Sequence, residues 1–216
     1  MPGSSDPGFN LAGALQPGKL AEQPLHHENK AIMDYQIYKQ SDYKQMPWKN
    51  GLGVTREIRR EPPEGHFHWR LSIAMINEDG PFSKFPQYTR IINTLSGRGM
   101  ILRVDGVPSR PLLSFDPFEF SGASEVESTL IDGPIEDFNL IFDPLFCRAQ
   151  MNWLIASRRL PIKSQAGLIL LYTVNELIIE SEDRMILPAG ATLEIHNTLP
   201  AQAVNFEVTS EKDDGH

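Results

Sequence analysis

Apolar and polar residues alternate in short runs along most of the chain, which is the pattern of half-buried β-strands. In residues 66–75 every second residue is apolar, and the residues between them are His, Arg, Ser or Ala. Asp137 and Asn139 alternate with Phe138 and Leu140 in the same way. Because successive side chains of a strand point to opposite sides of the sheet, each run predicts one apolar and one polar face. The polar face can meet solvent or line a polar cavity.

Turn-forming residues separate these runs: Asp-Gly at 105–106, Asp-Gly-Pro at 132–134 and Pro-Ala-Gly at 188–190. They supply the positive or fixed φ that tight turns need. Ser41 is predicted to cap a single helical turn over 42–45, and no longer helical pattern competes. The fold class is therefore all-β, as a sandwich or a barrel. The predicted strands are 35–39, 54–59, 66–76, 88–95, 100–104, 111–115, 125–131, 137–142, 148–156, 167–173, 176–180, 192–196 and 203–209.

The two ends of the chain lack this periodicity. Residues 1–32 are rich in Gly, Pro, Ser and other polar residues, which predicts a flexible N-terminal extension. Residues 211–216 are almost wholly polar and are predicted to form a C-terminal tail. The folded part is therefore expected between them.

Charge and cysteine content exclude several classes of protein. Lys and Arg number 20 against 28 Asp and Glu, so the formal charge is -8 and direct nucleic-acid binding is not expected. The single Cys147 cannot form an intrachain disulfide, and the chain has neither a long apolar stretch nor a secretory signal. We therefore expect a cytoplasmic protein with no membrane partner. A homodimer is compatible with these features.

Four sequence blocks, in order along the chain, resemble the HutD/Ves family. They are MPWKNGLGVTREI at 46–58, HWRLSIA at 68–74, GPFSKFPQYTRIINTLSGRG at 80–99 and DGPIEDFNLIF at 132–142. This is a bacterial cupin family whose HutD branch is associated with control of histidine utilisation. The resemblance implies a bicupin, that is, two RmlC-like jelly-roll β-barrel halves in one chain. It places the first half, with the ligand pocket, at 33–145, and the second at 146–210, which N-terminal strands can complete.

The resemblance also bears on metal binding. Cupins usually hold a metal with two His ligands one residue apart, a Glu and a later His. Ser83 and Phe85 fall near the two His positions, Arg90 near the Glu position and Glu125 near the last His. Phe cannot bind a metal and Arg stays cationic. The second half has no His-x-His before its turn at 188–190, so we expect neither a metal nor another cofactor.

One other spacing is compatible with a metal. His66 and His68 lie on one face of a predicted strand, which is a common arrangement of two ligands. Of the other histidines, only His196 lies in the predicted folded part. The alternative is that His66 and His68 are exposed or hydrogen bonded and bind no metal. This alternative is favoured because few residues could serve as a third ligand.

Arg90 is the residue that suggests a function. A guanidinium where cupins have a metal-binding Glu turns a cation site into an anion site, because it can hold a carboxylate through two parallel hydrogen bonds. The alternative is a structural salt bridge from Arg90 to Glu57 or Asp137.

Other residues are expected to complete this pocket. Trp48 and Phe85 supply apolar walls, although core packing or anchoring of a loop beside Pro47 is the alternative for Trp48. The turn at 50–53 lacks the strand-to-helix context of a dinucleotide site, so close backbone approach is the better explanation. The predicted ligand-binding residues are Trp48, Asn50, Thr55, Glu57, Arg70, Phe85, Arg90, Asp137 and Asn139.

Two functional hypotheses follow. The first is a non-catalytic binder that modulates histidine utilisation by sensing an acidic intermediate such as urocanate or N-formylglutamate; it assigns no catalytic residue. The second is a metal-independent cupin enzyme, of isomerase or hydrolase type, that acts on a small carboxylate. A buried His or carboxyl with a strongly shifted pKa beside Arg90 favours the enzyme, and its absence favours the binder.

Overall fold

The computed structural model describes residues 34–48, 51, 53–155, 159–181, 184–197 and 203–210. The predicted flexible extension at 1–32, the predicted tail at 211–216 and the predicted site residue Asn50 lie outside the described residues.

Strands dominate the described residues, with one short 3-10 helix at Gln40–Asp42. No helix in this part of the chain is long and apolar enough to cross a membrane. The all-β prediction is confirmed. The strands are, in chain order, β1 Asp34–Tyr38, β2 Lys44–Pro47, β3 Gly53–Glu61, β4 Trp69–Ile76, β5 Gly80–Pro81, β6 Thr89–Ser96, β7 Met100–Val104, β8 Val107–Pro108, β9 Phe118–Ser121, β10 Val126–Leu130, β11 Ile135–Phe142, β12 Leu160–Ser164, β13 Leu168–Tyr172, β14 Leu177–Glu180, β15 Arg184–Leu187, β16 Thr192–His196 and β17 Val204–Thr209.

Two antiparallel sheets form the first half of the chain. A six-stranded sheet has the order β2-β3-β4-β11-β6-β9, and a four-stranded sheet has the order β5-β10-β7-β8. Apolar side chains from both sheets pack together between them, among them Ile92 of β6 and Leu102 of β7. This is the first jelly roll, and only part of its interior is filled by apolar residues.

The second half also has two antiparallel sheets, which together contain fewer strands than those of the first half. Its strands have the orders β1-β16-β13 and β12-β17-β14-β15, so β1 joins the second half although it comes first in the chain. Buried Leu, Ile, Val and Phe side chains fill the space between the two sheets. Two jelly-roll halves in one chain confirm the bicupin fold.

The two halves share an apolar interface. The outer face of the six-stranded sheet carries Leu71, Ile73 and Phe138, and Leu170 and Tyr172 of β13 pack against this cluster. The six-stranded sheet therefore has a partner on each side. The outer face also carries a few polar residues, such as Arg56 and Asn93, whereas Asp137 and Asn139 lie on the inner face, within the first jelly roll.

Two strand predictions were wrong. Residues 148–155 form no strand: Met151 and Trp153 pack on the core while Asn152 is exposed, so the segment alternates in burial without a neighbouring strand to pair with. Residues 111–115 make only isolated bridges, and Phe115 adopts a positive φ of 63° that ends extended structure.

The predicted helical turn over 42–45 was also wrong. The 3-10 helix ends at Asp42, and Lys44 begins β2, which pairs with β3. Tyr43 explains the early end, because its side chain is buried and its hydroxyl donates to the Gly190 carbonyl at 2.7 Å. This contact with the second half fixes the chain before a helix can continue.

Candidate ligand-binding site

A cavity of about 630 Å³ lies inside the first jelly roll. Its wall contains both charged and aromatic side chains, which is typical of a site for a small polar molecule. The lining residues are Met46, Pro47, Trp48, Thr55, Arg70, Ser72, Ala74, Ile76, Pro81, Phe82, Ser83, Phe85, Arg90, Asp137, Asn139 and Ile141.

Strands β4 and β11 supply the floor of this cavity. They are neighbours in register, with Ala74 opposite Asp137 and Ser72 opposite Asn139. Their alternate residues, such as Leu71 and Phe138, belong to the apolar interface between the halves. The polar face that the sequence predicted for these strands therefore lines a cavity.

A β-bulge in β3 separates two charged residues onto opposite faces. The pairing with β4 shifts between Glu57 and Arg59, so Ile58 is the extra residue. Glu57 shares the inner face with Thr55 and approaches Arg70 of β4, with 2.7 Å between Oε2 and Nε. Arg59 points the other way. The bulge thus turns Arg59 away from the cavity and leaves Glu57 as the charged residue of β3 beside Arg70.

Arg90 of β6 reaches into the cavity from the side and is only 4% exposed. One Nη donates to the Ser83 carbonyl at 3.2 Å, while Nε finds no acceptor among the described residues. The guanidinium lies 5.0 Å from the centroid of the Phe82 ring and 5.6 Å from that of Phe85. Burial lowers the pKa of Arg90 to about 10, and the nearby charge of Asp137 opposes this shift. Arg90 therefore remains a cation at neutral pH.

The salt bridges considered as alternatives for Arg90 do not form. Within the described part of the chain Arg90 has no ion pair, because Glu57 is paired with Arg70 and Asp137 lies beyond ion-pair distance. A buried guanidinium without a paired carboxylate is unfavourable unless an anion joins it. This arrangement is what an anion-binding cavity requires.

Asp137 is the buried acid of the cavity, with 2% of its surface exposed. Its Oδ1 accepts a hydrogen bond from the Ala74 amide at 3.0 Å. Burial raises the pKa of Asp137 to about 7, although the charge of Arg90 and this hydrogen bond both act to lower it. Asp137 is therefore divided between its acid and its carboxylate form near neutral pH.

Two further buried polar atoms of residues in the cavity wall make no hydrogen bond among the described residues. Oδ1 of Asn139 finds no hydrogen-bond donor among the described residues. Nε of Arg70 has the Glu57 carboxylate 2.7 Å away, but the geometry does not make a hydrogen bond. Buried polar atoms usually have a hydrogen-bond partner, and a ligand or an ordered water in the cavity would supply one for Asn139.

Trp48 forms one wall at the end of β2. Its indole Nε1 donates to Thr55 Oγ1 at 2.9 Å. Gly53 lies under the ring, and a Cβ there would come within 2.9 Å of the Trp48 side chain. The close backbone approach predicted for this Gly-rich turn therefore allows Trp48 to lie against the strand and face the cavity.

The segment 82–88, named here the strap, crosses the cavity beside Arg90. Phe82, Ser83 and Phe85 of the strap line the cavity. Gly122, which follows β9, holds it by two hydrogen bonds of 2.7 Å, one from the Phe85 amide and one to the Tyr88 carbonyl. A Cβ at Gly122 would lie 2.3 Å from the Phe85 carbonyl oxygen, so only glycine permits this contact.

Most of the predicted site residues lie together. Seven of them line the cavity: Trp48, Thr55, Arg70, Phe85, Arg90, Asp137 and Asn139. Glu57 is in contact through Arg70, and Asn50 lies outside the described residues.

Sequence reasoning missed other lining residues. Ser72 and Ala74 were identifiable, because they alternate with the apolar residues of β4 as Arg70 does. Phe82 stands in the block at 80–99, yet its ring contact with Arg90 had no local signal. Glu125, aligned with the last cupin ligand, is exposed and does not line the cavity.

The histidines of the alternative metal site have separate partners. His66 Nε2 lies 2.7 Å from Oδ2 of buried Asp143, and its Nδ1 lies 3.1 Å from the Tyr88 hydroxyl. The His68 ring stacks on Phe146 with 4.1 Å between centroids.

The third candidate ligand also has a partner of its own. His196, at the end of β16 in the second half, has Nε2 2.7 Å from Glu194 Oε1. Among the described residues no group of three His, Cys, Asp or Glu side chains is arranged to hold a metal ion.

We expect the purified protein to contain no stoichiometric transition metal, since the positions of the cupin ligands carry Ser83, Phe85 and Arg90. Elemental analysis after dialysis is the measurement. A stoichiometric zinc, iron or manganese that disappears when His66 and His68 are replaced would contradict this expectation.

Comparison with known proteins places the chain in a family. The HutD family model matches residues 40–213. An uncharacterized 21.2 kDa protein in the hutC 3' region of Pseudomonas putida is 51% identical over 142 residues, which are 65% of this chain and 74% of the relative. The protein Ves of Cronobacter sakazakii is 40% identical over 115 residues, which are 51% of this chain and 64% of the relative.

A solved structure agrees with these sequence relatives. HutD from Pseudomonas fluorescens SBW25, whose structure was obtained in a formate condition, is 38% identical with a TM-score of 0.72. The match covers 82% of this chain and 94% of that one. Since the family model spans most of the chain and the fold agrees, this protein belongs to the HutD family.

Proposed function

We propose that this protein is a cytoplasmic, non-catalytic binder of small carboxylates that modulates histidine utilisation. The observation that carries the proposal is Arg90, a buried guanidinium in a cavity, with no ion pair within the described part of the chain. A planar guanidinium binds a carboxylate through two parallel hydrogen bonds, and exclusion of water strengthens them.

The charge balance and size of the cavity support a small anion. Arg90 and Arg70 bring two positive charges, Glu57 opposes one of them, and Asp137 opposes the other only in its ionised form. The volume of about 630 Å³ lies within the range of small-molecule sites. A ligand with one or two carboxylates and a short linking chain fits both constraints.

The choice of ligand rests on the family. The relative from P. putida lies beside hutC, and the P. fluorescens protein carries the name HutD. We infer from this association that the ligand is an acidic intermediate of histidine breakdown, and urocanate and N-formylglutamate are the candidates. The unpartnered Oδ1 of Asn139 suits a ligand that also carries an N–H group, and both candidates have one.

Calorimetric titration of the wild-type protein tests the proposal. Urocanate, N-formylglutamate and glutamate are titrated in parallel, with the amide of urocanate and the diamides of the other two acids as controls that have no carboxylate. We expect saturable binding of at least one acid and no binding of its amide. Absence of binding by all three acids would refute the proposed function.

Replacement of Gly122 by Ala is expected to weaken binding without direct contact with the ligand. The new methyl group would clash with the Phe85 carbonyl oxygen, so the strap must move and carry Phe85 away from Arg90. We expect affinity to fall about tenfold, or roughly 1.4 kcal/mol. Gly167→Ala, where a Cβ meets open space, is the matched control. Equal affinity of the Gly122 variant and the control would show that the strap does not shape the site.

A second candidate function is metal-independent catalysis on a small carboxylate. Asp137 meets the criterion for an enzyme that was drawn from the sequence, because burial raises its pKa to about 7 beside Arg90 and such a carboxyl has the properties of a general acid or base. The binder stays the first proposal because the buried guanidinium of Arg90 accounts for anion binding without any reaction. Proton NMR of the same three acids incubated with the protein distinguishes the two functions. The binder leaves their spectra unchanged, whereas an enzyme converts one of them and Asp137→Asn abolishes the conversion.

A further inference from the structure

We propose that binding of a carboxylate at Arg90 is coupled to uptake of one proton by Asp137, so that the protein binds its ligand more tightly as the pH falls. The inference rests on the proposed function, because it requires an anion in the cavity. It adds a form of regulation to the site, in which occupancy responds to pH as well as to ligand concentration.

The first argument is that the ligand and Asp137 compete for the same positive charge. Both Arg90 and Asp137 line the cavity, and no ion pair fixes the carboxylate of Asp137 to the guanidinium of Arg90. In the free protein, the charge of Arg90 favours ionisation of Asp137. A bound carboxylate neutralises that charge and adds a negative charge near Asp137. The ionised form of Asp137 then loses the favourable interaction with the charge of Arg90.

The second argument concerns where the proton goes. Oδ1 of Asp137 already accepts the Ala74 amide, so Oδ2 is the oxygen available for protonation. The bond formed is Oδ2–H, the proton comes from solvent, and no other bond changes. A protonated Oδ2 becomes a donor inside a cavity that holds an acceptor-rich anion. Protonation therefore relieves repulsion and adds a hydrogen bond.

The charged groups around Asp137 are few, which makes the coupling specific. Asp137 lies on β11, and the charged residues facing the cavity from the neighbouring strands are Arg70 on β4 and Arg90 on β6. Glu57 on β3 is paired with Arg70 and compensates it. The remaining described residues of the wall are uncharged. Near neutral pH, Asp137 is thus the group of this cavity that changes charge.

The experiment is calorimetric titration of the wild-type protein at about pH 7.5 in two amine buffers of different ionisation enthalpy, which have no anionic group to compete. The probes are N-formylglutamate and, at high concentration, formate; neither titrates between about pH 6 and 8.5. We expect uptake of about half a proton per bound anion, and affinity about fivefold weaker at pH 8.5 than at pH 6. In Asp137→Asn both effects should vanish while binding persists.

A matched variant tests the histidine at the end of the strap. His66, hydrogen bonded to Tyr88 at the end of the strap, is replaced by Gln, and proton uptake should persist.

Each outcome decides a different question. Wild-type binding with no buffer dependence, or unchanged uptake in Asp137→Asn, overturns the coupling and leaves the proposed function standing. Failure of both anions to bind, together with failure of urocanate and glutamate in the titrations above, overturns both. The wild-type titration needs no variant, so it can refute the coupling even where a substitution prevents folding.

Discussion

Arg90→Ala should weaken carboxylate binding by about 30-fold, which corresponds to a loss of about 2 kcal/mol. The substitution removes the two parallel hydrogen bonds and the buried positive charge that hold the anion. Arg90→Lys should restore only part of the affinity, since a point charge cannot reproduce the planar fork. Calorimetric titration of both variants with N-formylglutamate and urocanate is the measurement.

The control for this prediction is an arginine outside the cavity. Arg98 is exposed and pairs with exposed Asp132, so Arg98→Ala removes the same charge from the chain without touching the site. We expect wild-type affinity for Arg98→Ala. If Arg90→Ala is folded and binds as tightly as this control, Arg90 has a structural role and the anion site lies elsewhere.

Alternation along single strands was enough to predict which face of the sheet is polar. The strands at 100–104 and 192–196 have the predicted bounds, and the inner face of β4 carries the residues that the pattern separated from the apolar ones. This succeeds because the period of two is a local property of extended backbone. The same local pattern misled at 148–155, where alternate burial occurs without strand pairing.

The arrangement of the site depends on pairing between distant strands, which no local pattern encodes. The pairing of Arg59 with Glu194 on the outer face depends on the bulge in β3, and the extra residue there, Ile58, is an ordinary strand residue in the sequence. A second bulge shifts the pairing of β11 with β6 just before Asp137. Such bulges redirect side chains by their register alone. The sequence therefore predicted most of the charged residues that line the cavity but not which of the charges are paired.

The contacts of the strap show a similar limit. Gly122 and Phe85 stand far apart in the chain. Neither local sequence indicates that the Phe85 amide donates a hydrogen bond to the Gly122 carbonyl. Resemblance to cupins placed Arg90 near the barrel centre. Its three aromatic neighbours, Phe82, Phe85 and Phe120, come from two different segments, and only the fold brings them together.

Asp137→Asn should stabilise the protein against unfolding above neutral pH, although it removes a polar group from the site. The folded-state pKa of Asp137 is raised from 3.8 to about 7 by burial, so the folded protein holds this proton where the unfolded chain has released it. The wild type therefore loses stability as the pH rises from about 4 to about 7, and the loss persists above that range. Asn has the shape of the protonated side chain and no charge to bury, so the variant escapes this loss.

We expect the difference between Asp137→Asn and wild type to be small near pH 4 and to reach about 2–4 kcal/mol above pH 7. For a domain of this size, that gain corresponds to a rise in Tm of roughly 5–15 °C. Thermal melts of both proteins at several pH values measure this difference in stability. Groups that titrate in the same way in both proteins do not contribute to it. Asp116→Asn is the control, because it removes a partly exposed carboxylate paired with Arg110. A variant less stable than wild type at about pH 8 would show that the ionised carboxylate stabilises the fold, and that Arg90 and Asp137 act as a buried pair.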